Sequence, residues 1–226
     1  MERVLPSLFS DEEVDYILRF ARSNFTQIES TEFNTKLCDL KFDLFWEVIY
    51  DKIKDALPSK TFTIKGGFFN ETSSPYKIHS DGARTPDEDM LCTVLLPLEL
   101  KVESQELYDH SKNRLFLFEQ TSDFATVFRL GIEDPLSIPY YRLANTHGDY
   151  QRMIHGFTDE PFNDQRIISL CDHLSLTEFF GLTTKIEIPW DIGSCIIFHP
   201  HNLHVSSNFP KLGVKSKTNL VYSLKK

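Results

Sequence analysis

Three side chains able to share one metal ion, the close pair His79 and Asp81 and the distant His204, constrain this sequence most, because a fold that uses them must bring the two segments together. In His79-Ser80-Asp81 the first two are separated by one residue. On an extended segment, residues i and i+2 point to the same face, so His79 and Asp81 can grip one ion while Ser80 turns away. Two imidazoles and one carboxylate are the ligand set of an open non-haem iron(II) site. The third ligand must come from a distant strand, and the run IIFHPHNLHVSSN holds His204. A His-x-Asp triplet alone is more often a core histidine beside a turn aspartate than a site, so its context decides. In the same run His199 and His201 also share a face by alternation and compete with His204 for the metal.

At 226 residues the chain suits one well-packed domain, 1–226. Lys and Arg number 24 against 33 Asp and Glu, a net charge of -9, which repels phosphate backbones and argues against nucleic acid as a partner. Cys38, Cys92, Cys171 and Cys195 form no Cys-x-x-Cys pair, so they read as free, buried thiols in a reducing compartment. MERVLPSLFSDEEV has no apolar run with a cleavage site, and no segment approaches the roughly 20 apolar residues of a membrane span. A cytoplasmic protein without a membrane partner is expected.

RVLPSL (3–8) reads as an edge strand, followed by a helix that Ser10 caps in a box with Glu13, Phe9 stapling to Val14. Val14, Ile17, Leu18 and Ala21 give that helix one buried face. Phe42, Phe45, Trp46, Ile49 and Ile53 predict a second helix running until Pro58. Strands follow at TFTIKGGFF, YKIHSDGA and LCTVLLPLEL, the last apolar enough to be covered on both faces. KIEIPW, SCIIFHP and TNLVYSLKK supply three more near the C-terminus. Residues 104–185 hold strand-like RLFLFEQ and FATVFRLG and a helix around RIISLCDHLSLTEFFGL, and read as an insertion forming a lid. The fold class expected is α+β, with a sheet sandwich or jelly roll at its centre.

With these strands placed, the chain resembles the iron(II)- and 2-oxoglutarate-dependent oxygenases, on their prolyl-4-hydroxylase-like side. Three blocks carry the resemblance: VLPSLFSDEEVDYIL; NETSSPYKIHSDGA with DMLCTVLLPLEL; and WDIGSCIIFHPHNLHVSSNFPKLGVKSKTNLVYSL. The resemblance implies a double-stranded β-helix, cupin-like core with N-terminal helices packed on the major sheet. It implies His79, Asp81 and His204 as ligands of Fe(II), the interval from Phe198 favouring His204, with His199 and His201 left at a strand end or rim. It further implies 2-oxoglutarate and O2 as cosubstrates, release of succinate and CO2, and hydroxylation as the outcome. Halogenating relatives lack the carboxylate ligand that Asp81 supplies here.

The resemblance also asks for a buried cation on the last core strand to hold the distal carboxylate of 2-oxoglutarate. Lys217 is favoured and Lys215 is the runner-up, since the two share a face by alternation, with Asn219 beside them. Tyr76, Asn70 and Thr93 are further residues for the cosubstrate. Arg129, Tyr140, Tyr141, Arg142, His147, Arg152 and His155 in the insertion are available to hold a small, amino-acid-like molecule or a peptidyl side chain. Two other readings stay open: a cupin-like metal enzyme that does not use 2-oxoglutarate, and a jelly-roll binding module without chemistry. A cation lining the metal cavity separates the first from the family reading; a filled cavity or a splayed triad would mark the second.

Overall fold

The computed structural model describes residues 2–23, 28–30, 35–39, 43–79, 81, 90–120, 161–179, 182–200 and 202–226. Strand β1 (Arg3–Leu5) leads into helix α1 (Asp11–Ser23) through the expected capping box: Ser10 N–H donates to Glu13 Oε2 at 2.8 Å and Glu13 N–H to Ser10 Oγ at 3.3 Å. Val14, Ile17, Leu18 and Ala21 are its buried residues, as the periodicity requires. Helix α2 (Asp43–Ile53) stops before Pro58, because residues 54–57 turn back with Ala56 N–H donating to the Ile53 carbonyl. Trp46, Ile49 and Ile53 face the core as expected, and Phe42 lies outside the described residues.

Every described strand pairing is antiparallel. The larger sheet has β1, β8 (Cys195–Phe198), β5 (Met90–Val102), β10 (Val214–Lys225), β4 (Thr63–Thr72), β3 (Thr35–Asp39) and β2 (Ile28–Ser30) side by side. The smaller sheet orders β7 (Leu182–Pro189), β6 (Arg114–Gln120) and β9 (Leu203–Ser206). Alternation divides the apolar side chains among three layers. Cys92, Val94, Leu96 and Leu98 of β5 join α1 and α2 in one cluster; Leu95, with Leu115 and Leu117 of β6 and Ile196 and Phe198 of β8, fills the space between the sheets. Phe116 and Phe118 of β6 point the other way, onto Phe162, Ile167, Cys171 and Phe179, which cover the outer face of the smaller sheet. LCTVLLPLEL is thus apolar throughout because both faces of β5 are covered. Its Pro97, which has no N–H for the ladder, sits where the β5–β10 register shifts by one residue, and the bulge tolerates it.

Several expectations are corrected. β4 runs on through Asn70-Glu71-Thr72, and among the described residues of YKIHSDGA, 76–79 and 81, no strand forms and His79 pairs in an isolated bridge to His204. The helix around RIISLCDHL is only α3 (Gln165–Leu170), since Asp172 leaves the helical path to accept from Asn208 Nδ2 at 2.6 Å and to pair with Lys211. The insertion drawn over 104–185 is too wide at both ends, because β6 is the central strand of the smaller sheet and β7 begins at Leu182. FATVFRLG, Arg129, Tyr140, Tyr141, Arg142, His147, Arg152 and His155 lie outside the described residues. Cys92, Cys171 and Cys195 are free and buried, and no helix among the described residues is long and apolar enough to cross a membrane.

The chain enters β10 through a 3-10 turn, Phe209–Leu212, that ends on Gly213 at φ +76°. A Cβ there would lie 2.5 Å from the Ser104 carbonyl oxygen as well as in the left-handed region. Gly213→Ala is expected to cost about 3 kcal/mol, from strain and overpacking together, seen as a lower urea midpoint at unchanged slope.

Candidate metal centre

His79 and His204 are brought together by backbone pairing. His79 N–H donates to the His204 carbonyl at 3.1 Å, and His204 N–H to the His79 carbonyl at 2.8 Å, so the two residues face each other as a hydrogen-bonded antiparallel pair. On its other side β9 is held by β6, with Leu117 opposite His204. Each ring is then fixed by the same local device. His79 Nδ1 lies 2.8 Å from the Lys77 carbonyl and His204 Nδ1 lies 3.0 Å from the Asn202 carbonyl, each two residues upstream. A carbonyl can only accept, so each Nδ1 carries a proton, and in the neutral imidazole that leaves Nε2 as the nitrogen able to bind a metal. The two Nε2 atoms stand 3.9 Å (His79) and 3.7 Å (His204) from Asp81 Oδ1. All three ligand atoms fall within 4.8 Å of one another. Neighbouring ligands on bonds of ~2.1 Å stand about 3 Å apart, so small side-chain rotations close the set on one ion.

The triad opens onto a cavity of about 360 Å³. Three cross-strand pairs of β10 and β4 form its floor: Lys217 opposite Thr72, Asn219 opposite Asn70, and Val221 opposite Phe68. Leu95 and Leu115 add apolar wall, and Tyr76 and Ser206 polar edge. Lys217 is only 1 % exposed, and its ammonium lies 4.4 Å above the Trp190 ring and 4.8 Å from the Phe209 ring, with no hydrogen-bond partner among the described residues. Burial pushes its pKa down to about 7, against an upward pull from Cys171. Trp190 Nε1 and Asn70 Oδ1 are likewise buried and without partners among the described residues. Buried polar groups left without partners are costly; a cation and an indole N–H in one cavity suit an anionic ligand, and the Asn70 oxygen suits a donor on it.

The residues singled out from sequence fall as follows. His79, Asp81, His204, Lys217, Asn219, Tyr76 and Asn70 all line this cavity. Lys215 does not, and it is exposed. The alternation that put both lysines on one face fails because Lys215 has no partner on β5: Val214 pairs with Val102 and Ser216 with Lys101, so Lys215 is the extra residue of a bulge. Thr93 is fully buried between Phe198 and Ser223 and stays outside the cavity lining. His199 is also outside it, and His201 lies outside the described residues. Sequence reasoning passed over Trp190 and Phe209. The only available signal was that an aromatic residue ends one apolar strand, KIEIPW, and another precedes Pro210 ahead of the lysine strand.

No family model matches the chain, and no curated protein matches it. Solved structures do share its fold. A viral collagen prolyl hydroxylase from Paramecium Bursaria Chlorella virus-1, in complex with 2OG, aligns over 99% of this chain and 95% of its own, at 14% identity and TM-score 0.51. HygX from Streptomyces hygroscopicus, with nickel and 2-oxoglutarate bound, aligns over 99% of this chain and 82% of its own, at 11% identity and TM-score 0.51; it has also been solved with hygromycin B. The α-ketoglutarate-dependent carbocyclase SnoK from nogalamycin biosynthesis reaches TM-score 0.55 at 10% identity, over 98% of this chain and 79% of its own. At such identities the likeness is one of fold: this chain has the jelly-roll fold of the 2OG-Fe(II) oxygenases.

Proposed function

We propose that this chain is an iron(II)- and 2-oxoglutarate-dependent dioxygenase that hydroxylates an unactivated C–H bond of a small, amino-acid-like molecule or of a peptidyl side chain. One observation carries the reading: a two-His, one-carboxylate triad and an unpartnered, buried lysine share a single cavity. When bound, the iron lets O2 decarboxylate 2-oxoglutarate to succinate and CO2, one oxygen atom entering the succinate and the other the substrate C–H. The chain's own residues do the rest. His79 and His204 would hold the metal through Nε2, and Asp81 would hold it through its carboxylate. Lys217 draws the far carboxylate of the cosubstrate to the end of the cavity, where Trp190 and Phe209 keep the ammonium in place. Phe68, Leu95, Leu115 and Val221 keep water from the remaining walls.

The same observation weighs against the competing readings. A metal hydrolase on a cupin-like sheet has no use for a desolvated lysine in the metal cavity, and a module without chemistry has no need of an open cavity beside a convergent triad. Anaerobic addition of iron(II) followed by 2-oxoglutarate is expected to produce the weak visible charge-transfer band of the chelate. His79→Ala and Asp81→Ala should abolish it, and a wild type without the band would sink the proposal. Succinate release on admitting oxygen, screened against amino acids and peptides, then identifies the molecule oxidised.

A further inference from the structure

His204 reaches the metal centre from the turn that carries the chain out of β8, in the larger sheet, into β9, in the smaller. The turn is closed by Asn202 N–H donating to the His199 carbonyl at 2.9 Å, and it is the Asn202 carbonyl that holds His204 Nδ1. The Asn202 side chain is tied down separately. Its Nδ2 donates to Glu2 Oε1 at 2.6 Å, and the same carboxylate oxygen receives Lys185 Nζ at 2.8 Å. Lys185 also reaches Glu119 Oε1 at 3.1 Å. Glu2 immediately precedes β1, which pairs with β8, while Lys185 and Glu119 belong to β7 and β6. A run of charge-assisted bonds therefore crosses from one sheet to the other at the turn that delivers the third metal ligand. The Glu2 side chain is only 15 % exposed, so these contacts are partly shielded from solvent. Burial opposes its ionisation, yet the bonds from Lys185 and Asn202 hold its carboxyl below the ordinary value.

We infer that Glu2 and Asn202 are positioning residues for the metal site: Glu2 braces Asn202, and the braced Asn202 carbonyl aims His204 Nε2 at Asp81. The inference rests on the metal-site reading proposed above. Its physical basis is that a ligating imidazole is only as well placed as the group holding its other nitrogen, and loss of such outer partners weakens metal affinity 10–100-fold. Within the turn the backbone bond to His199 holds Asn202 on one side, and on the other Leu203 pairs with Phe118 of β6, so the side-chain bond to Glu2 is a third tie on the residue whose carbonyl holds His204. His79 is held independently of this run, through the Lys77 carbonyl in a separate segment.

The test is an anaerobic titration of the full chain with Co(II) alone, in competition with a chelator and followed through the visible ligand-field bands. Glu2→Ala and Asn202→Ala should each raise the Co(II) dissociation constant about 10- to 100-fold and change the band shape. Melting temperatures of the chelator-treated proteins should stay within about 4 °C of wild type, as for loss of one partly exposed hydrogen bond. Glu2→Gln keeps the acceptor for Asn202 and should bind Co(II) within about threefold of wild type, the margin left for its weaker pairing with Lys185. Wild-type affinity and spectra in both alanine variants would overturn the inference and leave the metal site standing. If Glu2→Gln is as weak as Glu2→Ala, the brace through Asn202 is overturned in favour of the Lys185 ion pair. Failure of the wild type to bind Co(II) would instead sink the metal-site reading itself. Should Glu2→Ala not fold, the Asn202→Ala titration decides the matter.

Discussion

Lys217→Met should bind 2-oxoglutarate at least 100-fold more weakly than the wild type and yet melt at a higher temperature. The two effects have one cause. The ammonium is 1 % exposed and has no hydrogen-bond partner among the described residues, so nothing described there offsets the cost of its charge but ring faces. Its folded pKa is about 7, against 10.5 for the ordinary side chain. Between those values the unfolded chain binds a proton that the folded chain lacks, so this group's destabilising effect shrinks as pH rises through that window. Near pH 7.5 it is on the order of 4 kcal/mol, at 1.36 kcal/mol per unit. Contacts with the faces of Trp190 and Phe209 return up to about 2 kcal/mol to the charged form. Methionine keeps the length and the packing without the charge, so the net gain is roughly 2 kcal/mol, or about 4–8 °C in Tm for a domain of this size.

Binding moves the other way, because a carboxylate brought to this end of the cavity without its cation stays buried and unpaired, a loss of about 3–5 kcal/mol. The wild-type affinity for 2-oxoglutarate should also fall as pH rises above about 7, by up to tenfold per unit, since only the ammonium form attracts the anion. Calorimetry at saturating metal and above pH 7 should record proton uptake on binding, and Lys217→Met should record none. A variant that melts lower and still binds would move the anion's site elsewhere.

Local chemistry was legible in the sequence wherever one segment decides it. The Ser10–Glu13 box, the buried face of α1 and the two-faced burial of β5 follow from periods and caps within a few residues, and the structure has all three. What was illegible depends on partners far along the chain. The bulge at Lys215 exists because β10 must match β5, and nothing in GVKSKTN shows which lysine is the extra residue. LHVS is too short to announce a strand, but β6 on one side and His79 on the other make it one. Trp190 and Phe209 meet over Lys217 only because a strand end and a 3-10 turn converge there. Asn202 was equally invisible, since its partner Glu2 stands at the far end of the chain.

His79 and His204 exchange both backbone bonds, so their positions are fixed by sheet pairing before any metal arrives, while among the described contacts Asp81 joins them through its carboxylate. Loss of the carboxylate should therefore leave the fold intact and remove the metal. Saturating divalent metal, at about 100 times its dissociation constant, should stabilise the wild type by roughly 2.7 kcal/mol, or about 5–10 °C in Tm. Asp81→Ala should show no such shift at the same concentration: two neutral imidazoles hold a dication without compensating its charge, and the affinity lost should exceed 100-fold. Without metal the variant should melt within about 2 °C of wild type, because Asp81 has no bond in the protein shorter than its 3.7 and 3.9 Å approaches to the two rings among those described. His204→Ala should lose the metal-dependent shift as well, but also start from a lower Tm, since it removes a 4 % exposed ring packed against Phe198. Metal-dependent stabilisation that survives in Asp81→Ala would mean the ion is held elsewhere on the chain, and the cavity holding Lys217 would then need another explanation for its unpartnered cation.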